Sequence, residues 1–225
     1  MKRSLLPKND QQRLCVTFSR GSDLKYISHL DIMRLWQRAL RRAGMPLAYS
    51  QGFNPHPRIS IAAPLAVGIT SEGELMDVFL ARRVSLEFFV KVMSKQLPAG
   101  IRILGTKELW PGLPSLQSQL RFAEYRVEVE SEKAPKEAGQ AIRSLLEKTS
   151  LPWQHARDEK VHRYDLRALI DDIWIIDKGE SLYTFGMRLL ADSSGSGRPE
   201  QVAQAMGFSD LPKSIHRTKL VLGTN

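Results

Sequence analysis

The chain has 225 residues, 33 Lys plus Arg against 24 Asp plus Glu, and a formal net charge of +9; residues 1–120 carry 17 basic and 8 acidic side chains, residues 121–225 carry 16 of each. A composition of 42% hydrophobic and 25% charged residues excludes a disordered chain, and charge confined to one half points to a polyanionic partner for that half. A single cysteine excludes an intramolecular disulfide and a cysteine-built zinc or iron–sulfur site, and no apolar run approaches the roughly 18–20 residues that span a bilayer.

Residues 1–12 read as a polar tail without the apolar core of a signal peptide, so a cytoplasmic protein is expected. Residues 13–20 read as a strand that buries Cys15. Residues 28–43 carry the clearest helical pattern: Ser28 at the N-cap, Asp31 three residues on, an apolar face of Ile32, Trp36, Ala39, Leu40 and Ala43, then Gly44 and Pro46 as stops. A polar and aromatic loop follows at 49–58. Strands are expected at 58–63 and 74–82, a helix at 85–97 capped by Ser85, and a strand at 101–107. Residues 109–120, with two prolines, read as a linker or an irregular crossing segment. The order then begins again, with a strand expected at 125–130, a helix at 135–149, strands at 161–176 and 181–190, a flexible Gly-Ser loop at 193–197, a short helix at 198–207 and a closing strand at 216–222. The expected class is α+β: two tandem ferredoxin-like (β-α-β-β-α-β) halves with antiparallel sheets, at 13–108 and 121–222, joined by 109–120.

Four groups of residues have chemistry to offer. Arg34, Arg38, Arg41 and Arg42 recur at helical spacing on the side of the first helix away from its apolar face, where guanidinium forks suit phosphate oxygens. The bland alternative is a solvated face with Asp31 paired to Arg34. The loop Tyr49-Ser50-Gln51-Gly52-Phe53-Asn54-Pro55-His56-Pro57-Arg58 offers aromatics on which bases can stack and amides that can read base edges; the alternative is a structural loop with its aromatics turned inward. His29 and His56 flank the basic helix and are weak candidates for acid–base work on a phosphodiester if they converge. Gly197 and Arg198 precede a short helix and are weak candidates for anion binding, with a plain connector as the alternative. Asp165 and Arg167 offer a local pair. No histidine spacing fits a metal site, and no complete catalytic motif is present, so an accessory protein is expected rather than an enzyme.

The words Tyr26-Ile27-Ser28-His29-Leu30-Asp31, Arg38-Ala39-Leu40-Arg41-Arg42-Ala43-Gly44 and Tyr49 through Pro57 resemble the radical-SAM-linked family called domain of unknown function 2344. Leu65 to Gly68, Ser71 to Glu74, Asp165-Leu166-Arg167, Gly197-Arg198-Pro199 and Arg217-Thr218 are similar to it as well. The resemblance implies a stand-alone accessory chain for a cobalamin-binding radical SAM protein. The partner would carry the iron–sulfur cluster, S-adenosylmethionine and cobalamin, and this chain none of them.

Three functions follow as expectations. The first is an RNA-binding accessory protein for that enzyme, acting in tRNA or rRNA modification or processing. The second is a docking module for the same enzyme without RNA contact. The third is a metal-independent RNA endonuclease-like protein, by analogy of fold alone.

Overall fold

The computed structural model describes residues 11–131, 134–157, 160–208 and 211–223, so residues 1–10 of the polar tail lie outside the described residues. The chain is α+β, with sheets paired antiparallel and few helices, and it divides into two compact units, up to Gln119 and from Leu120.

In the first unit, β1 (Gln12–Arg20), α1 (His29–Arg42), β2 (Ile59–Ile61), β3 (Thr70–Leu80), α2 (Leu86–Ser94) and β4 (Ile101–Leu109) follow in that order. β1 pairs with β3 on one side and β4 on the other, and β2 pairs with the far side of β3, which gives the strand order β4-β1-β3-β2. The alternation along β1 sends Leu14, Val16 and Phe18 to one face, where they meet Ile32, Trp36, Ala39 and Leu40 of α1 and Phe89 and Met93 of α2. Trp36 lies edge-on to Phe18, with ring centroids 5.0 Å apart. Ser28 caps α1 by accepting a hydrogen bond from the Asp31 amide. Ser85 does the same for α2 through the Phe88 amide.

The other face of β1 is buried too. Arg13 and Cys15 are almost wholly enclosed, as is Asp77 of β3. Arg13 grips Asp77 through Nε to Oδ1 at 2.7 Å and Nη2 to Oδ2 at 3.0 Å. Two further N–H groups donate to the carbonyls of Leu113 and Pro114, and Asp77 also accepts from the Leu116 amide. Of the two readings of 109–120, the stretch is thus a crossing segment fastened to the sheet by a buried ion pair, and it ends in a short helix, α3 (Leu116–Gln119). Burial pushes the Cys15 thiol pKa up, which suits a packed rather than a reactive cysteine.

The second unit runs β5 (Leu120–Glu130), α4 (Pro135–Leu146), β6 (Pro152–Arg157), β7 (Lys160–Asp165), β8 (Ile170–Lys178), β9 (Leu182–Asp192), β10 (Gly195–Ser196), α5 (Pro199–Ala205) and β11 (Ser214–Leu222). β5 lies between β11 and β9, and β8 pairs with the far side of β9, giving β11-β5-β9-β8. β6 and β7 form a separate antiparallel pair.

Three expectations need correction here. The single strand expected at 161–176 is two strands, because Asp165 accepts from the amides of Leu151 and Arg167 and turns the chain. The strand β6 was not expected at all. The Gly-Ser loop at 193–197 contains β10, which folds back on the end of β9.

Candidate nucleic-acid interface

Helical rotation puts Arg34, Arg38 and Arg41 within about 60° of one another, opposite Trp36 and the core face. All three are exposed. Arg34 pairs with Asp31 at 3.0 Å, and the hydrogen bond from Ser28, followed by that from Arg34, holds the Asp31 carboxyl below the usual carboxylate range. Arg38 and Arg41 make no hydrogen bond or ion pair with the described residues. Arg42 lies further round the helix, about 80° from Arg34. It donates to the Gln96 carbonyl at 2.9 Å, so it is drawn toward the end of α2.

The loop after α1 has a tied stem and an open tip. Tyr49 and Pro57 form an isolated bridge; the Ser50 amide donates to the His56 carbonyl and the His56 amide donates back to Ser50 Oγ at 3.0 Å. The Arg58 amide donates to Ala48, and Ala48 is itself bonded to Phe79. Residues 51–56 are all exposed, Gly52 takes φ of 121°, and the Phe53 ring is fully in solvent. Gln51, Asn54 and His56 surround it on the tip, and Tyr49 is partly exposed at the stem. The inward-turned alternative for this loop does not describe Phe53.

Arg58 behaves differently from the residues it was grouped with. Its guanidinium sits 4.0 Å from the centre of the Phe79 ring and donates to Gln11 Oε1 at 2.8 Å. It anchors the base of the loop to the sheet.

His29 and His56 are not brought together. Arg20, which is paired in register near Ser71, holds the carbonyls of Leu24, Lys25 and Ile27 just before α1, so His29 starts at the Ser71 end of β3. The stem of the loop joins the opposite end, where Leu47 bridges Leu80. Nine residues of strand separate the two anchors, roughly 30 Å. Gly197 has no amide to offer an anion, because it donates to the Leu190 carbonyl at 2.8 Å. Arg198 stands at the start of α5, which has only seven residues. Asp165 and Arg167 are not a side-chain pair: Arg167 donates to the carbonyls of Leu146 and Ile170 instead.

The sequence reading missed Arg82, Arg83 and Trp110. The first two follow β3 and the third follows β4, so all emerge at the end of the sheet that carries the loop. Arg83 pairs with Glu108, while Trp110 is 70% exposed over a turn closed by the Leu113 amide on the Trp110 carbonyl. The signal was there in an Arg-Arg dipeptide ending a strand pattern and a Trp-Pro-Gly turn. Among the described residues, no three His, Cys, Asp or Glu side chains are placed to hold a metal, and no helix is long and apolar enough to cross a membrane.

These features define an α+β protein with a cationic, aromatic-tipped surface on its first unit. The chain belongs to the family described as an uncharacterized protein conserved in bacteria (DUF2344), which matches residues 13–199. Sequence comparison with curated proteins gives no match. Among solved structures, the chain is similar to one in a crystal structure of a Cbf5-Nop10-Gar1 complex, at 9% identity and a TM-score of 0.50 over 93% of this chain and 48% of that one. It is also similar to a chain in a structure of an H/ACA RNP bound to a substrate RNA containing 2'-deoxyuridine, at 8% identity and a TM-score of 0.46 over 93% of this chain and 47% of that one. The protein thus spans about half the length of each of these two solved chains.

Proposed function

We propose that the protein is an RNA-binding accessory factor whose α1 arginines hold backbone phosphates and whose 49–57 loop holds bases. The observation that carries this reading is the pairing of exposed, uncommitted Arg38 and Arg41 with a tied loop that presents Phe53 wholly to solvent. A row of guanidiniums supplies sequence-independent attraction, and an aromatic ring supplies a stacking surface for any base. Each unit is read as a ferredoxin-like fold, supported by the matching strand orders β4-β1-β3-β2 and β11-β5-β9-β8, with the β6–β7 pair as an insertion in the second. The RNA would be tRNA or rRNA, and a cobalamin-binding radical SAM enzyme, which brings the iron–sulfur cluster and S-adenosylmethionine, would perform the chemistry.

The test is binding of the full chain to total tRNA and to rRNA fragments between 50 and 250 mM salt, an interval of about the width over which phosphate-dominated binding falls steeply. The Arg38→Ala/Arg41→Ala double variant is expected to weaken binding and to flatten the log–log salt dependence by about 1.4–1.8, two phosphate contacts' worth. An unchanged affinity and slope would remove the arginine row from the interface.

One observation favours a second reading, docking on that radical SAM enzyme. Tyr26, Leu30 and Val67 are 72%, 65% and 59% exposed, and the Gly68 amide on the Lys25 carbonyl brings Val67 beside that segment. Co-purification of the two proteins that survives nuclease and is lost in Leu30→Asp would favour docking through this patch.

A further inference from the structure

The arginine row and the loop differ in what they demand of an RNA. A phosphate row asks for several phosphates held at the spacing of its arginines, an ordered run such as a paired strand keeps. From Arg34 to Arg41 the helix rises about 10 Å, a length of about two to three successive phosphates of one strand. The three arginines share one sector that faces straight out from the core. Arg42, on the flank of that sector, is tied to Gln96 and marks the α2 side. The row therefore reads one strand of backbone along the helix axis.

The loop asks for something else. Its stem is fixed by the Tyr49–Pro57 bridge and the two hydrogen bonds between Ser50 and His56, and Pro55 and Pro57 restrict the return limb. A single phenyl ring stands at the tip, in contact with solvent alone. A paired base in an A-form duplex has both faces covered by its neighbours, so Phe53 has nothing to stack on there; only a splayed, unpaired base presents a face. Six residues, 43–48, separate the C-terminal end of α1 from the start of the loop at Tyr49. The phosphate row and the stacking ring thus succeed one another along the chain.

Building on the RNA reading above, we infer that the protein selects RNA in which a paired strand runs into unpaired nucleotides, with the duplex-side backbone on α1 and an unpaired base on Phe53. A hairpin loop or a bulge has this form. A blunt duplex lacks the base, and a free single strand lacks the ordered run of phosphates.

The experiment compares the full chain on three RNAs of equal phosphate count: a stem with a six-nucleotide loop carrying 2-aminopurine, a blunt duplex and an unstructured strand. The hairpin is expected to bind tightest, with 2-aminopurine fluorescence quenched or shifted on binding. Phe53→Ala should lower hairpin affinity about 5- to 100-fold, the range for loss of one base–aromatic stack. It should leave the salt slope and the blunt-duplex affinity unchanged, while Phe53→Trp should retain hairpin affinity. Because Phe53 packs on nothing, its removal leaves the fold intact, which circular dichroism checks. Equal affinity for hairpin and blunt duplex, or a hairpin affinity indifferent to Phe53→Ala, would overturn the inference and leave the RNA reading standing. Failure to bind any of the three at 50 mM salt, a concentration at which phosphate contacts are strong, would overturn both.

Discussion

Replacing Asp77 with alanine tests how the first unit is held together. Arg13 and Asp77 are each at most 1% exposed, so the variant strands a guanidinium inside the protein. Removing one partner of a buried pair costs about 3–5 kcal/mol, because the remaining charge keeps its desolvation penalty. Here the lower end applies: Arg13 would still donate to the Leu113 and Pro114 carbonyls, while the Leu116 amide would lose its acceptor. A loss of about 3 kcal/mol corresponds to a fall in Tm of about 6–12 °C for a chain of this size. Arg13→Met/Asp77→Leu removes both charges and should recover much of that loss, since an apolar pair of similar volume escapes the stranded charge. Urea denaturation and thermal scans by circular dichroism give both numbers. A Tm within about 2 °C of wild type for Asp77→Ala, or a double variant as unstable as two independent losses, would refute the reasoning, because contacting residues that share one network do not add.

Two further predictions concern the second unit. The Asp165 carboxyl is held below the usual aspartate range, chiefly by the Leu151 amide and then by the Ser150 side chain, with the Arg167 amide adding to the effect. A depressed folded-state pKa stabilises above the unfolded value near pH 4 and is lost as pH falls through the folded value. Asp165→Asn should therefore lower the urea midpoint at pH 7, and the difference should shrink toward zero well below pH 4; a constant difference would deny the linkage. Trp174 lies over Gly186, where an added Cβ would fall 2.0 Å from the indole ring. Gly186→Ala should cost about 1–3 kcal/mol through overpacking, and Trp174→Ala should absorb most of that cost. An additive double variant in a denaturation cycle would show that the indole is not what the methyl meets.

How much was legible depended on whether local chemistry or pairing decided the outcome. α1 was legible almost to the residue, because Ser28, the apolar period and Gly44 all act locally. The start of β3 was legible only in part: Ser71-Glu72-Gly73 reads as belonging to a turn or bulge-rich connection, and it is strand, with an irregular register between the Phe18–Glu74 and Arg20–Ser71 pairs. β6, for which no element was expected, begins at a proline, which is tolerated as the first residue of a strand. Sequence could not decide between a linker and a crossing segment for 109–120, because its fastening is the Arg13 side chain, about 100 residues away in sequence. The loop at 49–58 was legible as a candidate from its composition alone. That Arg58 belongs to the scaffold could come only from the position of Phe79 on β3.

The net charge of the 13–58 segment is +6 by sequence, from eight basic and two acidic side chains, but those eight do not act alike. Arg13 and Arg20 are almost wholly buried, the first against Asp77 and the second wrapped by carbonyls of residues 24–27. Arg58 is half-buried on Phe79, and Arg34 is partly offset by Asp31. Exposed charges more than about 8–10 Å from a ligand are screened at physiological salt. The attraction an approaching polyanion feels at α1 is therefore set mainly by the exposed Arg38, Arg41 and Arg42, the last hydrogen-bonded only to the neutral Gln96 and the first two in no hydrogen bond or ion pair with the described residues. Substitutions divide along the same line: loss of Arg13, Arg20 or Arg58 should appear first in stability, and loss of Arg38 or Arg41 in binding and its salt dependence. This explains how a stretch so rich in arginine can be both the best-fastened part of the first unit and the part left open to a ligand.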